Sequence, residues 1–351
     1  MERDALLKRL YGTSATPVEI ITLKGDASSR RYYRIVMPDG LTPRTLVHME
    51  LPQDALASDE VTDGETPSEL PFLNMGRYLA DNGVRVPELY LDAVSDRTLF
   101  LEDLGDEVFS NKVENASIET MRSWYEAAVD LLAQMHRSMW PVPDGCVAKT
   151  RLFDYDLLRW ELDHYREWGV EARREKPLDP ELRTTLDRVF DELAREVASL
   201  TKGFVHRDYQ SRNLMVIDPA PDPGSLAIID FQDALEGPRV YDLVALLNDS
   251  YVDLPDTLKK EMVYRYAKRM ALDGPTMYDE FHLVTVQRKL KDGGRFIFID
   301  RVKNNPSFLQ YVEGSFGRVR SALARLSGHG ELKAALAEAD PTHFASVFSA
   351  S

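Results

Sequence analysis

The chain has 351 residues, 44% of them hydrophobic, and a formal net charge of −15. This length allows two lobes, and the acidic surface argues against nucleic acid and anionic membranes as partners. The single cysteine, Cys146, excludes an internal disulfide, the N-terminus lacks an apolar signal-peptide core, and no run approaches the ~20 apolar residues of a membrane span, so we expect a cytoplasmic protein.

The first third of the chain is rich in predicted strands. Short runs of apolar and β-branched residues indicate strands at residues 18–23, 32–37, 45–51, 90–93 and 98–102. A turn of small residues at 24–31 joins the first two strands into a hairpin. Residues 53–65 are polar and acidic and are predicted to form a mobile loop. The segment Thr66-Pro67-Ser68-Glu69 has capping-box spacing, which predicts a helix that runs to Asp81.

The rest of the chain follows a helical periodicity. Ser117 caps a predicted helix that continues to Arg137. Further helices are predicted at residues 157–168, 180–200 and 240–248. The change of pattern near residue 104 divides the chain into a small β-rich N-terminal lobe, 1–103, and a larger, mainly helical C-terminal lobe, 104–351.

A short stretch of the large lobe carries the chemistry. Asp208 lies in an H-R-D-x-x-x-x-N run that ends at Asn213, and Asp230 follows an apolar segment in a D-F-x turn. Phosphoryl transfer requires a carboxylate that accepts a proton from the attacking hydroxyl. It also requires an amide and a second carboxylate that hold Mg²⁺ on the nucleotide phosphates. The apolar runs 214–217 and 226–229 predict a hairpin that brings the three side chains together. We therefore predict a kinase with a two-lobed, protein-kinase-like α+β fold.

Other segments resemble the aminoglycoside phosphotransferase and choline kinase superfamily, whose members phosphorylate hydroxyls of small molecules. They read L-A-Q-M-H at 132–136 and P-R-V-Y-D-L at 238–243. Residues 25–34, 204–216 and 229–249 are similar to the bacterial N-acetylmuramate/N-acetylglucosamine kinases of cell-wall recycling. This resemblance implies ATP-dependent phosphorylation of the anomeric hydroxyl of an N-acetylated amino sugar. The alternatives are a kinase of another small-molecule hydroxyl (an aminoglycoside, another hexosamine or an amino alcohol) and a catalytically silent nucleotide-binding scaffold.

The resemblance also implies a role for each matching residue. Asp208 would be the catalytic base, and Asn213 and Asp230 would hold Mg²⁺. The backbone of an interlobe hinge would meet the adenine of ATP; this hinge comprises Glu102, Asp103 and Leu104. Asp242 is expected to brace the catalytic loop. Asp233 either binds the sugar or caps the next helix, and the sequence leaves both readings open.

The third predicted strand departs from the kinase pattern. A kinase places a lysine there to hold the α- and β-phosphates, but residues 46–50 read L-V-H-M-E. A pseudokinase would explain the missing lysine, although all three catalytic and metal-binding side chains are present. We hypothesise that Arg30 or Arg31 partly replaces it; the alternative is a solvated hairpin face. Glu69 is either the partner of such a cation or only a member of the capping box.

The first indication of where the sugar binds is the segment 153–162, which resembles the helical insert that carries substrate contacts in the sugar kinases. Within it, Glu161 could accept hydrogen bonds from sugar hydroxyls. Aromatic rings at Trp160, Tyr165 or Trp168 could stack on a pyranose face, or they could simply belong to the core.

A basic cluster gives a second signal for the substrate. Arg288, Lys291 and Arg295 occur together in an otherwise acidic protein. They suit a carboxylate, such as the lactyl group of N-acetylmuramate, and suit a polycationic aminoglycoside poorly. A solvated basic helix face is the alternative. The identity of the sugar and of its hydroxyl, the preference for ATP over GTP and the oligomeric state stay open.

Overall fold

The computed structural model describes residues 3–23, 30–53 and 69–345. Within these residues the small lobe contains a five-stranded antiparallel sheet with the order β1-β2-β3-β5-β4. Its strands are β1 (Glu19–Leu23), β2 (Arg31–Val36), β3 (Thr45–Glu50), β4 (Leu89–Ala93) and β5 (Thr98–Glu102). Each predicted strand is confirmed, with its ends shifted by no more than one residue. The predicted turn residues 24–29 lie outside the described residues.

The sheet has two different faces because successive side chains of a strand point in opposite directions. Leu46 of β3 packs under an N-terminal helix, α1 (Arg3–Tyr11), which contributes Leu6 and Leu7 to a small apolar cluster. Val47 and Met49 of the same strand point to the other side, towards the cleft between the lobes. The helix α1 was not predicted from the sequence.

Helix α2 (Pro71–Asp81) joins the small lobe to the large one. It ends at Asp81 as predicted, but it begins at Pro71 and not at the predicted capping box, since Glu69 and Leu70 are not helical. The capping-box residues 66–68 and the predicted loop 54–65 lie outside the described residues. The ring of Phe72 stacks on Phe231 with ring centroids 5.0 Å apart. This contact places α2 directly against the D-F-x turn of the large lobe.

The large lobe is mainly helical. Its helices are α3 (Phe109–Val113), α4 (Ile118–Ser138), α5 (Tyr155–His164), α6 (Pro180–Ser199), α7 (Tyr241–Leu247), α8 (Asp256–Arg269), α9 (Gly274–Lys303), α10 (Val312–Arg325), α11 (Gly330–Ala339) and α12 (Pro341–Phe344). The predicted cap of α4 is confirmed, since the Ser117 side chain accepts a hydrogen bond from the Thr120 amide at 3.2 Å. The predicted α+β fold with two lobes is confirmed, and because β5 ends at Glu102 we propose the lobe boundary at residues 103–104.

Helix α5 differs from its prediction at its C-terminal end. The expected helix 157–168 is α-helical only to His164 and continues as π-helical turns over Tyr165–Ala172. Helix α9 approaches these turns closely at Gly294, where an added Cβ atom would lie 2.7 Å from the Tyr165 Cα atom. Only a glycine permits this approach, which fixes the position of α9 against the insert.

Two short antiparallel strand pairs carry the loops of the cleft in the described part of the large lobe. Strands β7 (Leu214–Val216) and β8 (Leu226–Ile228) form the predicted hairpin. Strand β6 (Lys202–Val205) pairs with β9 (Leu235–Pro238), a pairing that the sequence did not indicate. No helix in residues 3–23, 30–53 and 69–345 is both long and apolar enough to cross a bilayer.

Candidate active site

A cleft of about 1140 Å³ separates the two lobes. The inner face of the small-lobe sheet contributes Tyr32, Arg34 and Met49 to its lining, and the large lobe contributes Asp208 and Asp230. The loops that follow β6 and β8 therefore face the side of the small-lobe sheet that lines the cleft.

Asp242 holds the loop between β6 and β7 through hydrogen bonds to the loop backbone. Its two carboxylate oxygens accept hydrogen bonds from the backbone amides of His206 (2.7 Å) and Arg207 (2.9 Å). The ring of His136 donates to the same carboxylate at 3.1 Å. Asp242 is fully buried. These contacts confirm that Asp242 braces the catalytic loop.

The three side chains predicted for catalysis and metal binding converge in the cleft. Asn213 donates its side-chain amide to the Asp208 carbonyl oxygen at 2.9 Å and reaches Asp230 Oδ2 at 3.4 Å. Gln232 donates to Asp230 Oδ1 at 2.9 Å. Burial and the negative charge of Asp208 raise the pKa of the Asp230 carboxyl. Two carboxylates and an amide thus face the same small volume.

This arrangement fits a magnesium–nucleotide complex. Mg²⁺ prefers oxygen ligands and is commonly held by one or two carboxylates together with substrate phosphates. A cation beside Asp230 would relieve the repulsion that raises the pKa of this residue. The described residues contain no group of three or more His, Cys, Asp or Glu side chains that could hold a metal ion without a substrate.

Asp208 lies beside a buried cation. Arg288 of α9 places its Nη2 atom 3.3 Å from Asp208 Oδ1 and donates through Nη1 to the Arg207 carbonyl oxygen at 2.8 Å. Burial alone would raise the pKa of the Asp208 carboxyl. The positive charges of Arg288 and Lys291, with further contributions from Arg207 and His206, outweigh this effect and hold the pKa below its usual value. Asp208 is therefore an ionised carboxylate at neutral pH.

Glu161 lies behind the cleft rather than in it. Its side chain is 0% exposed, and its carboxylate accepts hydrogen bonds from Arg207 Nη2 (3.3 Å) and Gln287 Nε2 (2.8 Å). Lys291 Nζ lies 4.0 Å away. The prediction that Glu161 contacts sugar hydroxyls is wrong, because its oxygens are enclosed by protein. It is instead the counter-ion of the residue that precedes Asp208.

The predicted hinge lines the cleft as expected. The Glu102 side chain is turned away to Arg85, and Asp103 forms a two-pronged ion pair with Arg34 of β2, at 2.7 Å and 2.9 Å. The carboxylates of Glu102 and Asp103 are therefore both engaged by arginines. The Arg34–Asp103 pair was not predicted from the sequence.

The two candidate substitutes for the missing lysine are separated. Arg30 lines the cleft, and its guanidinium hydrogen-bonds to the Tyr32 hydroxyl. Arg31, the next residue, points to the opposite face of the sheet, where its 74% exposed side chain pairs with Glu50 at 3.0 Å. Its predicted place in the nucleotide site is therefore corrected. Glu69, which precedes α2, pairs with Arg77 of that helix and not with a cation in the cleft.

Asp233 lines the cleft close to the metal-binding residues. Gln232 Nε2 donates to its Oδ2 atom at 3.1 Å, and Arg151 lies 3.9 Å from its Oδ1 atom. The alternative reading as a helix cap is wrong, because the residue precedes strand β9 and the next helix begins at Tyr241.

The aromatic residues proposed for the sugar do not line the cleft. Tyr165 is completely buried in the main core, and Trp160 stacks on His164. The cleft is instead lined by rings from other segments, namely Tyr251, Phe296, Phe308 and Tyr311. The sequence analysis missed these rings; the spacing of Phe296 from Arg288, two helical turns on the same face of α9, was the available signal.

Relatives of the chain agree with this geometry. A sequence model described as "Phosphotransferase enzyme family" matches residues 19–281. An N-acetylmuramate/N-acetylglucosamine kinase of Pseudomonas aeruginosa is 30% identical over 91% of this chain and 89% of the relative. A protein of Pseudomonas putida with the same name is 28% identical over 89% of this chain and 86% of the relative.

Solved structures show the same fold at lower identity. A choline kinase of Cryptosporidium parvum superposes with a TM-score of 0.58 at 12% identity, covering 94% of this chain and 93% of that structure. An ADP-bound aminoglycoside phosphotransferase superposes with a TM-score of 0.57 at 14% identity, covering 89% of this chain and 95% of that structure. The predicted kinase-like fold and the resemblance drawn from the motifs are both confirmed: the chain belongs to the phosphotransferase enzyme family.

Proposed function

We propose that the protein transfers the γ-phosphate of ATP to the anomeric hydroxyl of N-acetylmuramate, N-acetylglucosamine or both. The observation that carries this proposal is the convergence of Asp208, Asn213 and Asp230 in one cleft. The relatives named as N-acetylmuramate/N-acetylglucosamine kinases, which span about nine-tenths of the chain, support the choice of sugar.

The chain's own residues account for the chemistry. Asp208, whose pKa is held below its usual value, accepts the hydroxyl proton as the sugar oxygen attacks the γ-phosphorus. The bond from the γ-phosphorus to the bridging oxygen breaks, and ADP leaves with the electron pair. Asn213 and Asp230 would hold Mg²⁺, which neutralises charge on the phosphates when it is bound. Arg30, at the rim of the small lobe, would add positive charge near the phosphates.

The charge of the cleft bears on the alternative substrates. Its lining includes the positive side chains of Arg212 and Arg295 together with the acidic side chains of Asp233 and Asp292. A cationic group of an aminoglycoside or an amino alcohol would be repelled where it approached Arg212 or Arg295, whereas a neutral or anionic sugar would not. The pseudokinase reading loses support because Asp208 is ionised and both proposed metal ligands are in place.

The test is ³¹P NMR of the purified protein with Mg-ATP, or Mg-GTP in parallel, and one acceptor per sample. The acceptors are N-acetylmuramate, N-acetylglucosamine, glucosamine, galactose and kanamycin. A sugar 1-phosphate signal that requires an N-acetylated sugar and disappears in Asp208→Asn would support the proposal. Transfer to kanamycin alone, or nucleotide binding without transfer to any acceptor, would overturn it.

A further inference from the structure

We propose that Arg295 is the residue that recognises the carboxylate of N-acetylmuramate, and that an aromatic wall beside it receives the part of the sugar common to both substrates. The aromatic wall consists of Tyr251, Phe296, Phe308 and Tyr311. This inference rests on the proposed function and deepens it, because it names the residue that separates an acidic amino sugar from a neutral one.

Helix α9 presents a single face to the cleft. The cleft-lining residues of this helix are Arg288, Lys291, Asp292, Arg295, Phe296 and Ile299. Their spacing of three, four and seven residues places them along one side of a helix. One end of this face lies at the proposed catalytic base, since Arg288 contacts Asp208. Arg295 follows seven residues later, about 10 Å further along the helix axis at ~1.5 Å per residue.

This separation suits the substrate. The reacting hydroxyl of N-acetylmuramate is on C1, and the lactyl ether is on C3 of the same ring. A sugar whose C1 hydroxyl points at Asp208 therefore directs its carboxylate away from the base and outward along α9. Among the cleft-lining cations of this helix face, Arg295 lies farthest along the helix axis from Arg288.

Two further cations that line the cleft, Lys291 and Arg212, lie elsewhere in the site. Lys291, 14% exposed, lies between Asp292 at 3.5 Å and Glu161 at 4.0 Å. Arg212 lies with its guanidinium carbon 3.7 Å from the centroid of the Tyr251 ring and donates to the Tyr311 hydroxyl at 3.0 Å. Lys291 therefore belongs to the ion pairs around Glu161, and Arg212 adjoins Asn213 and supports the tyrosines of the aromatic wall.

Arg295 has the geometry that carboxylate recognition needs. Its guanidinium carbon lies 5.0 Å from the centroid of the Phe298 ring, and the residue is partly exposed to the cleft. Contact with an aromatic ring orders the guanidinium plane and still directs N–H groups outward in that plane. A carboxylate can accept two such hydrogen bonds side by side.

The aromatic wall forms a cluster apart from the main core of the described residues. Phe296, Ile299 and Phe308 pack together with Tyr251 and Tyr311 around them. The Phe296 and Phe308 rings stack with centroids 5.7 Å apart. Apolar rings that line a cleft offer a surface for the C–H face of a pyranose and for an acetyl methyl group. Both candidate sugars carry these groups, so the wall does not distinguish them.

The test compares Arg295→Met with Arg301→Met, a matched control on the same helix whose side chain pairs with Glu175 outside the cleft. Steady-state kinetics are measured with N-acetylmuramate and with N-acetylglucosamine. We expect Arg295→Met to lower kcat/KM for N-acetylmuramate by about 10- to 100-fold, the range for a hydrogen bond to a charged group. The value for N-acetylglucosamine should change by less than about threefold, and Arg295→Lys should restore part of the loss.

Activity with N-acetylglucosamine also reports whether the variant is folded. An equal loss with both sugars, or no loss with either, would overturn the role of Arg295 while leaving the proposed kinase activity intact. A wild-type protein that phosphorylates neither sugar would overturn the proposed function itself, and this inference with it. A second variant, Phe308→Ala, should lower kcat/KM for both sugars alike; a loss confined to one sugar would contradict a shared wall.

Discussion

The guanidinium of Arg207 lies 3.3 Å from the carboxylate of Glu161, and neither side chain is more than 2% exposed. Arg207 has a positive φ of 78°, a conformation that residues other than glycine rarely adopt. The ion pair therefore anchors a residue in an unfavourable backbone conformation immediately before the catalytic base. Helix α5, which supplies Glu161, contributes to the orientation of Asp208 without entering the cleft.

Replacement of Glu161 by glutamine should impair both folding and catalysis. Removal of one partner from a buried ion pair leaves the other charge uncompensated and costs about 3–5 kcal/mol. We expect Glu161→Gln to lower the melting temperature and to lower kcat equally with both sugars, because it disturbs Asp208 and not a sugar contact. Glu331→Gln removes an exposed partner of Arg188 and serves as the control, with little change expected. A loss selective for one sugar would contradict this role.

Arg288 should behave as a positioning residue for Asp208. Its side chain is 3% exposed and contacts the Arg207 carbonyl oxygen and the Asp208 carboxylate. This placement corrects the expectation from the sequence that Arg288 binds the carboxylate of the substrate. We expect Arg288→Met to lower kcat by about 10- to 100-fold with both sugars.

The pH dependence of Arg288→Met distinguishes positioning from general damage. The positive charge of Arg288 lowers the pKa of Asp208, so its removal should raise that pKa. Because the base must be ionised, activity should then disappear at a higher pH on acidification than in the wild type. The measurement is the pH profile of kcat, with Arg301→Met as the control. An unshifted acidic limb would show that Arg288 does not act through the charge of Asp208.

Comparison of Arg30 with its neighbour Arg31 tests whether Arg30 takes the place of the lysine that is missing from the third strand. The Tyr32 hydroxyl, to which Arg30 hydrogen-bonds, also experiences the negative charge of Asp230, so Arg30 acts close to the metal site. We expect Arg30→Ala to lower kcat/KM for ATP by about 10-fold or more. Arg31→Ala, which loses only an exposed pair with Glu50, should stay within about twofold of wild type. Equal effects of the two substitutions would exclude this role of Arg30.

The parts of the site that the sequence predicted are those encoded within a short segment. Asp208, Asn213 and Asp230 lie on one local hairpin, and its β7–β8 strands are marked by two apolar runs and a turn. The strands and helices could also be predicted, because their periodicity depends only on residues that are close together in the sequence. The cap at Ser117 and the end of α2 at Asp81 belong to this class.

The parts that the sequence missed depend on contacts between distant segments. Glu161, Arg207 and Gln287 come from three regions and are recognisable as a buried charge network only once α5 and α9 are packed. The aromatic wall is assembled in the same way from α9 and the segments around 251 and 308–311. The side to which Arg30 and Arg31 point was also undetermined, because a shift of one residue in strand register exchanges the two faces.

Asp230 should make the metal-free protein less stable as the pH rises. Its pKa is raised in the folded state, so the folded protein binds this proton more tightly than the unfolded chain does. Stability from this group is therefore present at low pH and is lost as the pH rises from the unfolded value of about 4 through the raised folded value. A bound Mg²⁺–nucleotide complex should remove this penalty by compensating the carboxylate.

The measurement is thermal unfolding with and without Mg-ATP, at about pH 5 and about pH 7.5. We expect a larger stabilisation by Mg-ATP at the higher pH. Asp230→Asn should raise the melting temperature of the metal-free protein at the higher pH, on the order of 2 °C, and should abolish the magnesium-dependent part of the stabilisation. Asp218→Asn, on the exposed turn between β7 and β8, is the matched control and should change neither quantity. If Asp230→Asn kept the full magnesium-dependent gain, Asp230 would not be a metal ligand, and the raised pKa would reflect only its burial and its proximity to Asp208.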